Sequence, residues 1–530
     1  MKYPLSIRSL LAVVFGASLS LSFAPTGAWW FTPYCIAGLL ILLATQPTPA
    51  RLWSGLTIGF CFGLGWFACG LWWLYPGLHD FGATEAYFAA LLVAGVIGYM
   101  SLFPALASGL IAHSGLLLRD AKASFMWRAI RLCAVAGIWA ISEWLRGHLF
   151  IGLPWLETGY AHTTAPLAGY APLIGVIGVG FMNSLIAILL AYGVLNYINK
   201  EFSVSGALQA VAAIAIVLAG GQLLRSIDWT EDTGRNVSVR LIQGNIAQED
   251  KFSAEGLRQA ANVYVEYSQT SSANLTIWPE TIFSLEWHSL PDGIKQGLQS
   301  IANARASTIL FGSPVVSKDP ALEKTVSTNS ALAISPGDEA GKYSYRYDKI
   351  HLLPLAEYVP PSLKWMGDQV TIDFNSYSAG AVDQAPLILE GGKFGLNICY
   401  ETLFEDNIVR KARNAEALLN LSNFAWFTGT WAANQHLQAA QMRALETGRW
   451  LAQASNTGST AVINQHGFIV DVLPLDTTAA LDAVMQMRTG DTPFMRSQNK
   501  PILILSALAL IALLGRRLRY KVKPTRTTNL

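Results

Sequence analysis

Charge is what this sequence has least of. Asp, Glu, Lys and Arg make up 14% of its 530 residues, against roughly 25% in a soluble domain. Hydrophobic residues reach 52% and mean hydropathy is +0.34, so much of the chain prefers lipid to water. The net charge of +2 gives no general attraction to polyanions. No basic stripe interleaved with aromatics marks a nucleic-acid track, so no nucleic-acid partner is expected. Cysteine is scarce as well: there are five, and Cys35, Cys61, Cys69 and Cys133 fall in apolar segments. Cys399 stands alone in the polar part of the chain, so that part holds no internal disulfide and the thiol is free. There is no His-Glu-x-x-His and no cysteine cluster, so neither metal nor cofactor is expected. Gly63 and Gly65 lack the third glycine of a nucleotide-binding fingerprint. Internal repeats and low-complexity segments are missing too.

What is present is a set of long apolar runs. A membrane span needs about 20 apolar residues. Seven candidates precede residue 226, at about 7–23, 29–45, 53–75, 86–117, 130–147, 170–197 and 205–224, and an eighth lies at about 500–516. The first resembles a signal peptide, with Lys2 and Arg8 before residues 10–21. It lacks a small-x-small cleavage site and further spans follow at once, so it reads as a retained helix. Basic residues set the orientation. Lys2, Arg8, Arg51, Arg119, Lys122, Arg128, Arg131, Lys200 and a tail from Arg516 to Arg526 alternate with loops holding little beyond Arg146. Both termini are therefore expected in the cytoplasm, with the polar stretch on the far side. The resulting division is a multispan domain at 1–226, a polar domain at 227–497, and a final helix with a basic tail at 498–530. Gly55, Gly59 and Gly63 repeat every four residues, as ordinary close helix packing requires. Glu143, Arg146, His148 and Glu157 lie near a span end. Their plain explanation is interfacial placement or a local Glu143–Arg146 pair; intramembrane charge is also often functional.

The polar domain alternates β-type runs, at 237–242, 275–278, 308–311, 394–398, 417–421 and 461–463, with helical stretches such as 255–267 and 434–447. That alternation predicts a layered α/β domain. Three segments stand out. Cys399 closes a strand-like run and precedes a predicted helix, a setting that favours the thiolate. Glu280 closes another strand just after Pro279, beside Trp278, where partial desolvation would raise its pKa and suit it to proton transfer. Lys349 could stabilise an oxyanion. Each has an ordinary explanation when taken singly: a buried inert thiol, a solvated loop glutamate, a lysine paired with Asp348. His351 reads as structural.

Together, Trp278-Pro279-Glu280, Tyr347-Asp348-Lys349-Ile350-His351-Leu352 and Asn397-Ile398-Cys399-Tyr400-Glu401 resemble, in order, the Glu, Lys and Cys blocks of the nitrilase, or carbon–nitrogen hydrolase, superfamily. With many spans before them and one after, the chain resembles the bacterial apolipoprotein N-acyltransferases over nearly its whole length. Gln243-Gly244-Asn245-Ile246, Pro354-Leu355-Ala356-Glu357-Tyr358-Val359-Pro360 and Ser455-Asn456-Thr457-Gly458 extend the match. The resemblance implies an α-helical membrane domain of about eight transmembrane helices joined to an α/β nitrilase-like αββα sandwich. The sandwich would lie on the periplasmic face of the bacterial inner membrane. It implies transfer of an acyl chain from a phospholipid, typically phosphatidylethanolamine, to the α-amine of the diacylglyceryl-cysteine that begins an apolipoprotein. Glu280 would be general base, Lys349 the oxyanion-stabilising cation and Cys399 the nucleophile, with Glu357, Tyr400 and Glu401 supporting them. A thioester on Cys399 then divides the transfer into two steps, with ping-pong kinetics.

Two positions depart from the family pattern. Phe424 stands where relatives often have aspartate, and Phe252 where they can carry tryptophan. Phe252, Trp287, Trp365, Trp426 and Phe427 are candidates for a lipid entrance or lid over Cys399; ordinary core packing explains them equally well. Two other functions share these residues. A membrane-tethered amidase or nitrilase would use the same triad with water as acceptor, but leaves the many spans unexplained. A membrane scaffold with an inactive domain leaves the intact triad unexplained.

Overall fold

The apolar segments fold as helices, and their lengths decide which of them can cross a bilayer. The computed structural model describes residues 4–45, 51–81, 84–117, 124–150, 152–251, 253–319, 324–359 and 377–522. Among these, six helices are long and apolar enough to span: Leu5–Ser22, Arg51–Gly70, Ala86–Ser114, Phe125–His148, Pro166–Ile198 and Val204–Leu224. The expected second and eighth spans are shorter apolar helices, Phe31–Ala44 and Lys500–Gly515. The former begins only after the chain turns at Trp29 and Trp30. Its 14 residues reach about 21 Å, short of the roughly 30 Å hydrocarbon core.

The chain divides into two compact units. One comprises Met1–Trp72, Ala94–Ile227 and Ser497–Leu530; the other comprises Trp73–Val93 and Asp228–Arg496. In the helical unit the glycine seam is sterically required. A Cβ at Gly59 would meet the Pro104 carbonyl oxygen and the Ser108 Cβ at 2.5 Å, so only glycine admits this approach. The buried Glu143 and Arg146 both turn to the loop that follows their helix. Glu143 accepts from the Thr158 amide and hydroxyl, each at 2.8 Å. Arg146 donates to the carbonyls of Leu153 at 2.9 Å and Trp155 at 2.5 Å, its guanidinium lying over Phe67.

The second unit contains two six-stranded sheets. Its strands are β1 Glu231–Gln243, β2 Leu275–Ile277, β3 Thr308–Asp319, β4 Lys324–Ile334, β5 Tyr345–Asp348, β6 Leu387–Leu389, β7 Gly392–Ile398, β8 Ala417–Ser422, β9 Trp450–Ser455, β10 Ala461–Ile463, β11 Ile469–Val472 and β12 Ala479–Thr489. The orders are β12-β1-β2-β3-β4-β5 and β11-β10-β9-β8-β7-β6. In each, three central strands run parallel, β1-β2-β3 and β7-β8-β9, with antiparallel strands outside them. Buried side chains of the two sheets, including Val239, Leu241 and Ile277 from one and Leu396, Ile398 and Leu419 from the other, share a single core. Each such side chain contributes about 1.5–3 kcal/mol through burial. The outer faces are covered by helices Ala254–Gln269 and Asp292–Arg305 on one side and Glu405–Arg413 and Ala432–Thr447 on the other. The result is the four-layered αββα sandwich.

Trp73–Val93 belongs to this unit although the helical unit flanks it in sequence, and its last residues, from Ala86, open the apolar helix Ala86–Ser114. Trp73 donates its indole N–H to Gln435 Oε1 at 3.1 Å and packs edge-on against Phe427 at 5.0 Å.

Candidate active site

Parallel strands end on the same side of a sheet, and loops leaving those ends can hold reactive groups at short range. Glu280 follows β2, Lys349 follows β5 and Cys399 follows β7. The turn carrying Glu280 is pressed onto β3: Trp278 N–H donates to Leu310 O at 2.8 Å and Gly312 N–H to Pro279 O at 3.0 Å. A Cβ on Gly312 would come within 2.4 Å of the Thr281 nitrogen and 2.6 Å of the Glu280 Cα. Glycine at 312 is what lets the glutamate sit there.

Glu280, Lys349 and Glu357 form one buried group, 6%, 2% and 8% exposed. The Lys349 ammonium donates to Glu280 Oε1 at 2.9 Å and to Glu357 Oε1 at 3.0 Å. The Asn329 amide, on β4, donates to the same two oxygens at 2.8 and 2.7 Å. Two donor nitrogens and two acceptor oxygens therefore alternate around a ring. Glu357 is fixed further by the Leu353 amide at 2.7 Å. Burial works against the Lys349 charge, but Glu280 and Glu357 overcome it and hold the ammonium well above the usual lysine range.

Cys399 sits at φ +50°, a left-handed conformation uncommon for any residue but glycine and typical of strained functional sites. A polar latch secures it from below. The Cys399 carbonyl accepts from His436 Nε2 at 2.8 Å and from Asn420 at 3.4 Å. Asn420 also bonds Thr402 at 2.8 Å and Asn397 at 2.5 Å. Burial pushes the Cys399 thiol up, the Glu280 carboxylate adds to this, and Lys349 and the Asn423 amide pull it only part of the way back. The expected resting thiolate therefore gives way to a protonated thiol. The nearby carboxylates and the sheltered setting outweigh the position ahead of a helix.

Glu401 ties the cysteine turn to the lysine loop. Its Oε1 accepts from the amides of Ile350 at 2.6 Å and His351 at 3.2 Å; its Oε2 accepts from the Ile398 amide at 2.7 Å and the Tyr347 hydroxyl at 2.8 Å. Tyr400 is buried with its ring edge-on to Phe404 at 5.0 Å. His351 stacks on Phe404 at 4.1 Å, and burial lowers its pKa to about 4.

The aromatic candidates separate. Trp287 belongs to the core, not to a lid: it is fully buried, tilted against Phe311 at 5.3 Å, with its indole N–H on Gly341 O at 3.2 Å. Trp426 and Phe427 are half-buried on the turn after β8. Phe252 and Trp365 lie outside the described residues. Phe424 is buried, its ring 5.1 Å from His436, so an apolar contact occupies the position where the sequence departs from the family pattern. Asn329, Asn423 and His436 were not singled out from the sequence, since a lone asparagine or histidine carries no local signal. Among the described residues, no three His, Cys, Asp or Glu side chains converge as metal ligands would.

Residues 15–189 match the family description "Apolipoprotein N-acyltransferase N-terminal domain", and residues 238–491 match "Carbon-nitrogen hydrolase". An apolipoprotein N-acyltransferase of Ralstonia nicotianae is 37% identical, covering 96% of this chain and 93% of its own. That of Nitrosomonas europaea is 36% identical, covering 95% and 96%. That of Chromobacterium violaceum is 36% identical, covering 96% and 94%. Identity at this level over nearly the full length means that the chain, a multi-pass membrane protein with a nitrilase-superfamily domain, belongs to the apolipoprotein N-acyltransferase family.

Proposed function

We propose that this protein moves an acyl chain from a phospholipid, by way of a thioester on Cys399, to the α-amine of the diacylglyceryl-cysteine at the N-terminus of an apolipoprotein. The observation that carries the reading is the Lys349 ammonium bridging Glu280 and Glu357 at 2.9 and 3.0 Å, in a group electrostatically coupled to the Cys399 thiol. In this reading the Cys399 thiol gives its proton to Glu280 as sulfur attacks the ester carbonyl. Lys349 stabilises the oxyanion. The intermediate collapses, the lysophospholipid oxygen takes the proton from Glu280, and the acyl group stays on sulfur. The incoming amine then attacks the thioester and loses its proton to Glu280, and Cys399 leaves as sulfur and is reprotonated. Glu357, Asn329 and Glu401 hold these groups in place, and Tyr400 packs beneath the cysteine turn. Trp426 and Phe427 meet the acyl chain.

Donor and acceptor are both lipids, which accounts for joining this chemistry to membrane helices. Phosphatidylethanolamine is the donor we favour. The basic-residue pattern supports cytoplasmic termini and a periplasmic catalytic domain at 227–497 in the bacterial inner membrane, with the two shorter apolar helices counted among eight crossings. Incubation of purified protein with acyl-labelled phospholipid should place label on Cys399 as a thioester, and a diacylated lipopeptide should then remove it as amide-linked product. Label that never reaches protein rejects the mechanism. Acyl-cysteine that passes only to water favours a hydrolase.

A further inference from the structure

The ring of Glu280, Lys349 and Glu357 is one positive charge short. One ammonium faces two carboxylates, so with both ionised the group carries a net negative charge beside the sulfur that must itself become negative. A second lysine lies on the neighbouring loop. Lys251 is buried, 9% exposed, and its ammonium donates to Thr281 Oγ1 at 3.0 Å, on the residue immediately after Glu280. It is close enough for its charge to interact with both the Glu280 carboxylate and the Cys399 sulfur.

The position is built on both sides of that contact. Thr281 is β-branched yet held at φ +41°, an outlier conformation for such a side chain. The loop that carries Lys251 is anchored at two ends. Asn456 accepts the Ile246 amide at 2.9 Å and donates to the Ile246 carbonyl at 2.8 Å. Ser253 donates through its amide and hydroxyl to the Asp250 carbonyl at 2.9 and 2.8 Å. Asn456 also donates to Asn423 Oδ1 at 3.2 Å, and the Asn423 amide is the one bonded to the Cys399 thiol. One network thus fixes both the loop of Lys251 and the donor on sulfur.

We propose that Lys251 is a second cation of the acyl-transfer centre, a positioning residue that balances the second carboxylate and so permits negative charge on Cys399. The proposal rests on Cys399 being the nucleophile of the reading above. The charged and titratable groups facing the sulfur are then Glu280, Lys349, Glu357 and Lys251, with His436 bonded to the Cys399 carbonyl. His436 is neutral above its pKa of about 4. Tyr377, facing Glu280, Glu357 and Lys349, stays protonated because burial lifts its hydroxyl to about 12. Glu249 and Asp250, on the loop of Lys251, are exposed. Burial lowers the Lys251 ammonium to about 8, with Glu280 and Cys399 resisting the fall. It is therefore a cation at neutral pH and weakens as one above that.

The test measures the rate of Cys399 alkylation by iodoacetamide in the full-length protein, read peptide by peptide by mass spectrometry, at about pH 7, where the thiol is mostly protonated and the rate follows the thiolate present. In K251M the rate should fall roughly tenfold, the loss of thiolate that a rise of about one pH unit in the thiol's titration brings. Thioester formation from phosphatidylethanolamine should slow by a similar factor and recover as pH is raised. K251R, which keeps the charge, should keep the wild-type rate. K251Q serves if K251M does not fold, and T281A, which removes the anchor but not the charge, should slow alkylation by less. An unchanged rate in folded K251M or K251Q overturns the proposal. So does a K251R rate that falls as far as theirs, because shape and not charge would then be responsible. Failure of the wild-type protein to form any acyl-cysteine would reject the acyl-transfer reading instead, and the alkylation rates would still report the effect of Lys251 on the thiol.

Discussion

Both units of this protein bury charge, and they satisfy it differently. In the helical unit Glu143 and Arg146 are occupied by the backbone and the Thr158 hydroxyl of one following loop. In the sandwich, Glu280, Lys349 and Glu357 satisfy one another and share one asparagine, with a single backbone amide on the far oxygen of Glu357. Charge bonded to backbone fixes a loop and has little freedom to exchange protons. Charge bonded to charge holds Lys349 as an ammonium and leaves Glu280 beside the sulfur whose proton it must take, which is what acyl transfer needs. The contrast teaches that burial alone does not mark a reactive group; the identity of the partner does.

The sharpest way to break this comparison is to neutralise one member of each set. Lys349→Met should cost at least about a thousandfold in thioester formation. Leaving two buried carboxylates face to face should also destabilise the fold by about 3–5 kcal/mol. Glu143→Gln should lower stability by about 1–3 kcal/mol while acyl transfer per folded molecule stays within about twofold of wild type. Loss of chemistry without loss of stability in Glu143→Gln would move that residue into the site and end the distinction. Next in size, Trp287→Ala should destabilise by about 3–5 kcal/mol in thermal melts and leave the KM for lipid unchanged. A raised KM at an intact Tm would return Trp287 to a lid. Asn329→Ala removes one charge-assisted donor from each carboxylate. It should slow acyl transfer by about 10–100-fold, the equivalent of about 1.5–3 kcal/mol, measured as single-turnover thioester formation.

A pH dependence of stability sharpens the comparison within the sandwich. Burial lowers His436 to about 4 from an ordinary value of 6.5. Between these values the unfolded chain binds the proton and the folded chain does not. Stability is therefore complete above about pH 6.5 and declines as pH falls towards 4, by on the order of 3 kcal/mol from this residue. Denaturant midpoints across that window should fall with acid and should flatten in His436→Gln. The smallest effect is expected at Trp426→Asp, a severalfold rise in the KM for lipid with the alkylation rate of Cys399 unchanged; unaltered lipid kinetics would remove Trp426 from the acyl path.

The central strands were legible because they are mostly apolar and free of charge: the runs at 275–278, 394–398 and 417–421 hold no Asp, Glu, Lys or Arg. The β3–β4 hairpin was largely hidden. Its outer half, with Lys318, Asp319, Lys324 and Thr325 paired across the two strands, has no apolar pattern to reveal it. Nor could the sequence show that β12 pairs with β1, a partner more than two hundred residues away. Within the site, Glu280, Lys349 and Cys399 were legible because each ends a strand inside a recognisable block. Asn329 was not, because its role comes from register: Ser330 pairs with Asp348, which brings the amide of the preceding residue next to Lys349. The Phe31–Ala44 helix is shorter than its sequence suggests because Trp29 and Trp30 are apolar enough to pass for helix.

The segment Trp73–Val93 bears on how the protein is made. Trp73 leaves the ribosome 362 residues before the glutamine it bonds. At about 5–20 residues per second, that is a delay of roughly 20–70 s. For that time an indole and its neighbours wait, uncovered, between segments bound for the membrane. A chain begun at residue 228 would lack them altogether, and Phe427 and Gln435 would lose their contacts with Trp73. The sandwich unit is thus assembled from two stretches made far apart in time, so a fragment cut at the apparent boundary would be missing a piece of its own fold.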